Sequence, residues 1–224
     1  MLETLETLVR LGGAIAIGVT LAVIFYGLWQ GVHRPVGRTA GRMPGMLRSG
    51  AFYLAASVFY FGMCWLLWKP LPVTLSPAAR VAALALGSML LCAGLGLVLW
   101  GWLALGKQYF VSTSMGAQLF VGHQLVTGGP YALVRHPMYL GCILTGIGGL
   151  LVYRTWAFVF IAVGFLGLLA RARREEQALE VEFGETYRAY RQEVPGWIPG
   201  LRNQDGQSGQ PPSRDGASPN LEDK

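Results

Sequence analysis

Long stretches without a charged residue constrain this chain more than any other feature. Five such stretches occur, at residues 11–32, 49–68, 81–105, 137–153 and 155–170. A helix rises about 1.5 Å per residue, so about 20 apolar residues cross the roughly 30 Å hydrocarbon core of a bilayer. The last two stretches are shorter, and only Arg154 separates them, which predicts a tight helical hairpin. We therefore predict an all-α integral membrane protein with five transmembrane helices.

The distribution of charge supports this fold class. Charged residues make up only 13% of the 224 residues, whereas about 25% is usual in soluble domains. The net charge is +6, and the arginines flank apolar stretches instead of lining a soluble face. This pattern favours the lipid bilayer as a partner and argues against nucleic acid. The sequence leaves the oligomeric state open.

Two further features exclude a secreted or metal-binding protein. Cys64, Cys92 and Cys142 all fall inside apolar stretches, without the spacing of metal ligands. They are predicted to be small buried hydrophobic residues, with no disulfide framework and no metal site. The first ten residues, MLETLETLVR, lack the basic segment of a signal peptide. The first apolar stretch is therefore expected to remain as a membrane helix.

Arginine distribution predicts the orientation in the membrane. The connection around residues 34–48 and the cluster at 171–174 contain the most arginine, and five spans place both on the same side. Positive charge is enriched in cytoplasmic loops. We expect a multi-pass protein with its N-terminus outside, and with the loop 106–135 and the C-terminus in the cytoplasm.

The C-terminal region divides into a helix and a tail. Residues 171–193 predict an amphipathic cytoplasmic helix that emerges from the fifth span and ends at VPGWIP. Its apolar residues recur at helical spacing: Leu179, Phe183, Tyr187 and Tyr190. Residues 1–199 are predicted to form a single membrane domain. Residues 200–224 have almost no apolar content and are predicted to be a disordered tail.

The loop before the hairpin is the first candidate site. It ends in HQLVTGGPYALVRHPMYLG, which spans His123–Gly141. Gly128, Gly129 and Pro130 permit tight turns, and Pro137 suits the first turn of a helix. The free N–H groups of that helix N-terminus could hold a carboxylate. The alternative interpretation is an interfacial loop whose arginine and tyrosine side chains anchor at the lipid headgroups.

The second candidate site is the cluster ARARREEQAL, which follows the fifth apolar stretch. In a helix, Arg171 and Glu175 are one turn apart and share a face. One interpretation is a solvated ion pair between these two side chains, without a ligand. At a ligand site, the carboxylate would instead bind ribose hydroxyls or an ammonium, and the arginine would orient an anionic acceptor.

Together the two clusters resemble the isoprenylcysteine carboxyl methyltransferase family. The pattern H-x-L-V-x-x-G-x-Y-x-x-x-R-H-P-x-Y-x-G is matched at His123–Gly141, and E-E-x-x-L is matched at Glu175–Leu179. The run FGETYRAYRQEVPGWIP, residues 183–199, also resembles the C-terminal signature of that family. The resemblance covers residues 102–199, and membrane phospholipid N-methyltransferases share much of the pattern.

The resemblance implies a membrane enzyme that transfers a methyl group from S-adenosylmethionine to a lipophilic acceptor, leaving S-adenosylhomocysteine. It implies that Arg171 contacts the acceptor and that Glu175 contacts the cofactor. A family glutamine upstream of the histidine has no clear counterpart, because Gly116 stands at that spacing. Arg135 and His136 are candidates to bind the cofactor carboxylate. The other residues expected to line the cofactor pocket are His123, Gln124, Leu125, Val126, Tyr131, Pro137, Met138 and Tyr139.

The acceptor is less constrained than the cofactor. The resemblance favours a prenylcysteine-type carboxylate, while a phospholipid amine and a small thiol remain open. Methyl transfer from a sulfonium is an in-line displacement that needs positioning and desolvation more than acid–base groups. Rival interpretations are an NADPH-dependent oxidoreductase similar to sterol reductases and a membrane scaffold without catalysis. The glycine-rich GLGLVLWG lies within the third apolar stretch, so it predicts helix packing and not a soluble nucleotide-binding loop.

Overall fold

The computed structural model describes residues 1–32, 50–106 and 124–200. The basic connection, most of the polar loop with His123 and Gly116, and the C-terminal tail lie outside the described residues. The described residues form six α-helices and one short 3-10 helix, Gly129–Ala132, and contain no β-strand. The α-helices are α1 Leu2–Val32, α2 Gly50–Leu66, α3 Pro77–Leu105, α4 Pro137–Tyr153, α5 Trp156–Phe183 and α6 Glu185–Glu193.

Helices cover nearly all the described residues of the five apolar stretches, which confirms the all-α prediction. Three segments are long and apolar enough to cross a membrane: Leu2–Gly27, Pro77–Leu105 and Trp156–Phe183. The described apolar part of α2, Leu54–Leu66, and the whole of α4 are shorter. At about 1.5 Å per residue, the 17 residues of α4 reach roughly 25 Å, less than the usual hydrocarbon thickness. Five complete spans therefore remain a prediction.

Local sequence signals account for the helix boundaries. Ser76 caps α3, its side chain accepting a 3.3 Å hydrogen bond from the Ala79 N–H, and Pro77 occupies the first turn. Pro137 opens α4 as predicted. Arg154 adopts a left-handed conformation with φ 52°, which ends α4 and turns the chain into α5. The predicted hairpin thus turns on the one charged residue between its helices.

Helices α3 and α4 pack with their backbones in close approach at glycines. A Cβ atom added at Gly94 would lie 2.6 Å from the Gly141 carbonyl oxygen, and one at Gly148 would lie 2.7 Å from the Gly87 carbonyl oxygen. No side chain fits at such a contact, so both helices need glycine there. The packing role predicted for GLGLVLWG is confirmed at Gly94 and also at Gly101, where an added Cβ would meet Met138.

The other glycines of the hairpin behave differently from one another. Gly146 and Gly149 face α5, where an added Cβ would approach the rings of Phe165 and Phe158 respectively. Among the described residues, Gly164 and Gly167 have no neighbour within 4 Å that an added Cβ would meet. These two glycines of α5 therefore take no part in the close packing of the hairpin.

The cysteines are less buried than predicted. Cys92 is exposed, and Cys64 and Cys142 are half-buried. Each lies on an apolar helix, and a helix that crosses lipid presents part of its surface to acyl chains. A cysteine on the surface of such a helix would therefore contact hydrocarbon instead of water.

The C-terminal helix predicted over residues 171–193 is not continuous. The long helix α5 runs from Trp156 through the arginine cluster to Phe183, and Gly184, with φ 51°, separates it from α6. A positive φ is accessible to glycine at little cost, so the chain can turn at this position. The turn still leaves the predicted apolar residues in one cluster. Its members are Leu125, Leu179, Phe183, Tyr187, Tyr190 and Val194.

Candidate active site

The two polar clusters of the sequence meet at the start of α4. The turn at Arg154 folds α5 back along α4, so residues at similar distances from the turn come together. The Tyr139 hydroxyl donates a 2.8 Å hydrogen bond to Glu175 Oε2. Beside it, His136 Nε2 lies 2.9 Å from Glu176 Oε1. We call this the α4–α5 junction, and five predicted residues form it: Arg135, His136, Tyr139, Arg171 and Glu175.

Glu176 holds the entry to α4 in place. Its Oε1 atom lies 3.0 Å from an Arg135 guanidinium nitrogen and 2.9 Å from His136 Nε2. Arg135 and His136 are only 7% and 6% exposed, and the anionic partner offsets the cost of burying the Arg135 guanidinium. The carboxylate therefore orients both side chains.

The segment after α6 closes over the same residues. The backbone N–H of Arg135 donates to the Pro195 carbonyl at 2.9 Å, and the backbone N–H of His136 donates to the Gly196 carbonyl at 3.2 Å. The Trp197 ring lies with its centroid 5.4 Å from that of His136. An added Cβ at Gly196 would lie 3.2 Å from an Arg135 nitrogen, which leaves little room for a side chain.

Helix α6 supports the loop that precedes α4 through two buried tyrosines. The Tyr190 hydroxyl donates a 2.7 Å hydrogen bond to the Tyr131 carbonyl. Burial raises the pKa of Tyr190 to about 12, so the hydroxyl keeps its proton at neutral pH and remains a donor. Tyr187 is 1% exposed, and burial likewise raises its pKa. Both tyrosines act as neutral supports of the loop that leads to α4.

Tyr139 lies at the centre of the junction. Its ring stacks on that of His136, with centroids 5.6 Å apart and 5° between the planes. The Arg171 guanidinium carbon lies 5.6 Å from the Tyr139 ring centroid, within the range of a cation–π contact. Among the described residues, no arginine or lysine forms an ion pair with Glu175. The interpretation of Arg171 and Glu175 as a simple ion pair is therefore wrong.

The predicted residues of the preceding loop differ in their exposure and contacts. Gln124 is exposed, and Val126 is half-buried. Leu125 packs against Tyr190 and the rest of the apolar cluster, and Tyr131 receives the Tyr190 hydrogen bond through its backbone. Their assignment to a cofactor pocket remains a prediction.

Two residues at the start of α4 have packing roles. Pro137 is fully buried, and Met138 fills the space left by Gly101 on α3. His123, the first residue of the matched pattern, lies outside the described residues.

Sequence reasoning did not assign roles to Glu176, Tyr187, Tyr190 or Trp197. The signals were present, because Glu176 is the second acid of the E-E pair and the aromatic residues belong to the C-terminal run that resembles the family signature. Spacing alone does not show which of two adjacent glutamates faces the loop, since that depends on the rotation of α5 about its axis.

The unpaired groups of the junction fit a ligand that carries both negative and positive groups, such as S-adenosylmethionine. The buried Nε atoms of Arg135 and Arg171 have no hydrogen-bond partner among the described residues. Buried polar atoms are normally satisfied, so each can donate to a carboxylate of a bound molecule. Within the described part of the chain, Glu175 receives a hydrogen bond from Tyr139 only, which leaves acceptor capacity for hydroxyl or ammonium groups.

Comparison with known families identifies the segment that contains this junction. The sequence profile of the phospholipid methyltransferase family matches residues 82–186, which include all five junction residues. This segment is a phospholipid methyltransferase family domain. Tyr190 and Trp197 lie just beyond the matched residues of the family domain, and α1 and α2 precede them.

The individual relatives are all named as methyltransferases. The protein-S-isoprenylcysteine O-methyltransferase of Schizosaccharomyces pombe is 37% identical over 79 residues, 34% of this chain and 34% of that protein. Protein-S-isoprenylcysteine O-methyltransferase B of Arabidopsis thaliana is 35% identical over 79 residues, 34% of this chain and 40% of that protein. The chain thus matches little more than a third of the length of these two relatives.

Two longer alignments relate this chain to proteins named as methanethiol S-methyltransferases. Methanethiol S-methyltransferase 2 of Bradyrhizobium diazoefficiens is 27% identical over 218 residues, 86% of this chain and 76% of that protein. Methanethiol S-methyltransferase of Pseudomonas deceptionensis is 26% identical over 175 residues, 73% of this chain and 64% of that protein. The relatives agree on methyl transfer and differ in the atom that receives the methyl group.

Proposed function

We propose that this protein is an integral membrane methyltransferase that transfers the methyl group of S-adenosylmethionine to a prenylcysteine-type carboxylate. The observation that carries the proposal is the α4–α5 junction, where Glu175 and the Arg171 guanidinium both lie against Tyr139. A carboxylate and an unsatisfied arginine beside one aromatic ring can hold the cofactor and the acceptor next to each other.

On this proposal, Glu175, Tyr139 and Arg135 each have a distinct task toward the cofactor. S-adenosylmethionine supplies an electrophilic methyl group on a sulfonium when it is bound. Glu175 would accept hydrogen bonds from its ammonium or ribose hydroxyls, and Tyr139 fixes the rotamer of that carboxylate. Arg135, held by Glu176, would direct its free Nε–H toward the carboxylate of the cofactor.

Arg171 would orient the acceptor. Its buried Nε atom has no hydrogen-bond partner among the residues that the structure describes. A guanidinium matches a carboxylate with two parallel hydrogen bonds. A carboxylate is already anionic at neutral pH and attacks without a general base. The His136 ring, paired with Glu176, is committed to a structural contact, which fits a reaction that needs no base. A protonated phospholipid amine would first have to lose a proton.

The longer alignment supports a small thiol as a second candidate acceptor. Methanethiol S-methyltransferase 2 aligns over 86% of this chain, including helices that precede the family domain. A small thiol would have to lose its proton to solvent before it attacks. The resulting thiolate is an anion like a carboxylate, so Arg171 could orient either acceptor. The two candidates differ in size and hydrophobicity, and these properties separate them experimentally.

We also propose the membrane arrangement expected from the sequence. Residues 1–199 would form one domain with five spans, its N-terminus outside and the junction and C-terminal helix on the cytoplasmic side. The three long apolar helices and the arginines at 171–174 support this arrangement. A membrane-impermeant thiol reagent tests it. Single cysteines at residue 3 and at residue 188 should label from opposite sides of sealed vesicles, and labelling from one side would contradict five spans.

Methyl transfer can be measured directly on the purified full-length chain in lipid nanodiscs. The protein is incubated with methyl-labelled S-adenosylmethionine and with S-farnesylcysteine, methanethiol or phosphatidylethanolamine. We expect label on S-farnesylcysteine as a base-labile ester, and none on the same compound already esterified. Label on methanethiol alone would support the second candidate.

Cofactor binding provides a test that does not depend on the acceptor. Titration with S-adenosylhomocysteine should give saturable binding, whereas NADPH should not bind. Binding of NADPH alone would favour a reductase, and binding of neither compound would favour a scaffold.

A further inference from the structure

A second charged cluster lies at the opposite end of α4 from the candidate active site. Glu6 on α1 is 4% exposed and contacts three arginines from different elements. Arg10 Nη2 lies 2.8 Å from Glu6 Oε1, and Arg80 Nη2 lies 2.7 Å from Glu6 Oε2. Arg154, at the hairpin turn, also pairs with Glu6 Oε1. One carboxylate therefore joins α1, α3 and the α4–α5 turn.

Positive charge exceeds negative charge in this cluster. Three guanidinium groups share a single carboxylate, so two positive charges are left uncompensated at contact distance among the described residues. Arg10 also donates through Nε to the Val152 carbonyl at 3.1 Å. Arg154 Nη1 is buried and has no hydrogen-bond partner in the described part of the chain. Because each guanidinium carries five N–H donors, the cluster has donors to spare for an anion.

These arginines open onto a cavity of about 570 Å³. Its lining includes Arg10, Arg80, Arg154 and Thr155, together with Thr74 and Trp68. Thr155 is 7% exposed, and its hydroxyl has no partner within the described ranges. A buried hydroxyl left without a hydrogen bond costs free energy, so its position on the cavity wall is an independent sign of a ligand.

The wall of the cavity is held by backbone hydrogen bonds. The Leu71 N–H donates to the Arg154 carbonyl at 2.7 Å, and the Trp156 N–H donates to the Lys69 carbonyl at 3.0 Å. The Tyr153 hydroxyl donates to the Arg10 carbonyl at 2.6 Å. The connection between α2 and α3 is thus fastened to the hairpin turn, and the donors are in place before a ligand binds.

Aromatic residues indicate where this end of the bundle lies in a bilayer. Trp65, Trp68 and Trp156 are 84%, 53% and 46% exposed, and all three lie near the hairpin turn. Exposed tryptophans are enriched at the headgroup level of membranes. From Tyr139 to Tyr153, α4 rises about 20 Å, so the cavity and the candidate active site lie near different faces of the bilayer.

We propose that this cavity is a phosphate-binding site that takes the headgroup phosphate of a membrane lipid. Arg10, Arg80 and Arg154 would donate to the phosphate oxygens, and the Thr155 hydroxyl would complete the site. The acyl chains of the lipid would extend from the site into the bilayer. Glu6 holds the three arginines in position and limits their mutual repulsion. The proposal does not depend on the activity proposed for the junction.

The test measures lipid binding by the full-length protein in a neutral detergent. Native mass spectrometry and thermal unfolding are recorded with phosphatidylglycerol, with diacylglycerol that lacks the phosphate, and with inorganic phosphate. We expect phosphatidylglycerol to bind and to raise the unfolding midpoint, and diacylglycerol to do neither. A shift with inorganic phosphate of the same size would support the site and identify free anion as its occupant.

Two variants distinguish the site from a general attraction to charge. Arg80→Gln should weaken phosphatidylglycerol binding about tenfold or more. Thr155→Val removes only the unpartnered hydroxyl, so it should keep the lipid-free unfolding midpoint and weaken binding several-fold. Arg188→Gln, which removes an exposed arginine paired with Glu180, is the matched control and should bind as the parent protein does.

The result that overturns the proposal is equal binding of phosphatidylglycerol by the parent protein, Arg80→Gln and Thr155→Val. Equal stabilisation by diacylglycerol would overturn it as well, because it would show that acyl chains alone account for the shift. Should Arg80→Gln fail to fold, Thr155→Val decides the question, since that change breaks no observed contact.

Discussion

The Tyr139 hydroxyl donates a 2.8 Å hydrogen bond to the Glu175 carboxylate, which links the first turn of α4 to α5. The adjacent acid, Glu176, is instead paired with Arg135 and His136. Two neighbouring glutamates therefore differ in their surroundings: one has acceptor capacity left over, and the other is enclosed. This difference separates ligand binding from structural support in the tests that follow.

Glu175→Ala should abolish binding of S-adenosylhomocysteine with little loss of stability. The side chain has one described partner, so the fold loses one hydrogen bond, while the ligand loses a charged acceptor. Isothermal titration and thermal unfolding in the same detergent measure the two effects. A variant that binds the product normally would remove Glu175 from the proposed pocket.

Glu176→Ala should show the converse pattern. Its removal leaves the buried Arg135 and His136 side chains without their anionic partner, at a cost of roughly 2–4 kcal/mol. We expect a clearly lower unfolding midpoint than for Glu175→Ala. If the two variants were equally stable, the supporting role of Glu176 would be wrong.

His136→Ala should also abolish cofactor binding. The ring stacks on Tyr139 and pairs with Glu176, so its loss disturbs the wall that orients Glu175. The double variant His136→Ala/Glu176→Ala tests the pairing, because removing both partners should cost less stability than the sum of the single changes. Additive losses would show that the two side chains are not coupled.

Arg171→Ala should spare cofactor binding and reduce turnover by at least about tenfold. The guanidinium contacts the Tyr139 ring and has a free donor, so it is available to the acceptor and not needed by the cofactor. Binding of S-adenosylhomocysteine and the kcat for methyl transfer are the measurements. Arg173→Ala is the control, because Arg173 is exposed on the same helix. Loss of binding and turnover together would contradict the role proposed for Arg171.

Gly94→Ala should destabilise the protein, whereas Gly96→Ala should not. An added Cβ at Gly94 would lie 2.5–2.6 Å from atoms of Thr145 and Gly141, but at Gly96 it would meet no atom of the described residues within 4 Å. Both changes raise helix propensity equally, so the comparison isolates the packing term. We expect the Gly94 variant to unfold several degrees below the Gly96 variant. Similar midpoints would mean that α3 and α4 do not pack at this glycine.

The sequence predicted the fold class and the start of α4 because those depend on local properties. Apolar stretches without charge must become helices in hydrocarbon, and Pro137 marks a helix start by its own stereochemistry. The starts of α1 at Leu2 and of α3 at Pro77 lie outside the predicted apolar stretches. The break at Gly184 was missed because a glycine can either continue a helix or end it. Its neighbours, which pack around Tyr187, decide between the two.

Part of the candidate site was also visible in the sequence. Helical spacing placed Arg171 and Glu175 on one face, and the family resemblance added Tyr139 to the site. The hairpin brings Tyr139 into contact with both residues. Spacing did not show that Glu176 pairs with His136, or that Trp197 packs on the same ring. Those contacts join segments that are far apart in the chain.

The sequence by itself determined that this protein is helical and apolar, and that its polar residues are confined to a few clusters. Only the tertiary structure decided which polar residues face one another: Glu175 toward Tyr139, Glu176 toward Arg135, and Glu6 toward Arg80. The physical reason is that a charged group in apolar surroundings must find a partner. Which partner it finds depends on the rotation and approach of whole helices, and side-chain packing between those helices sets both.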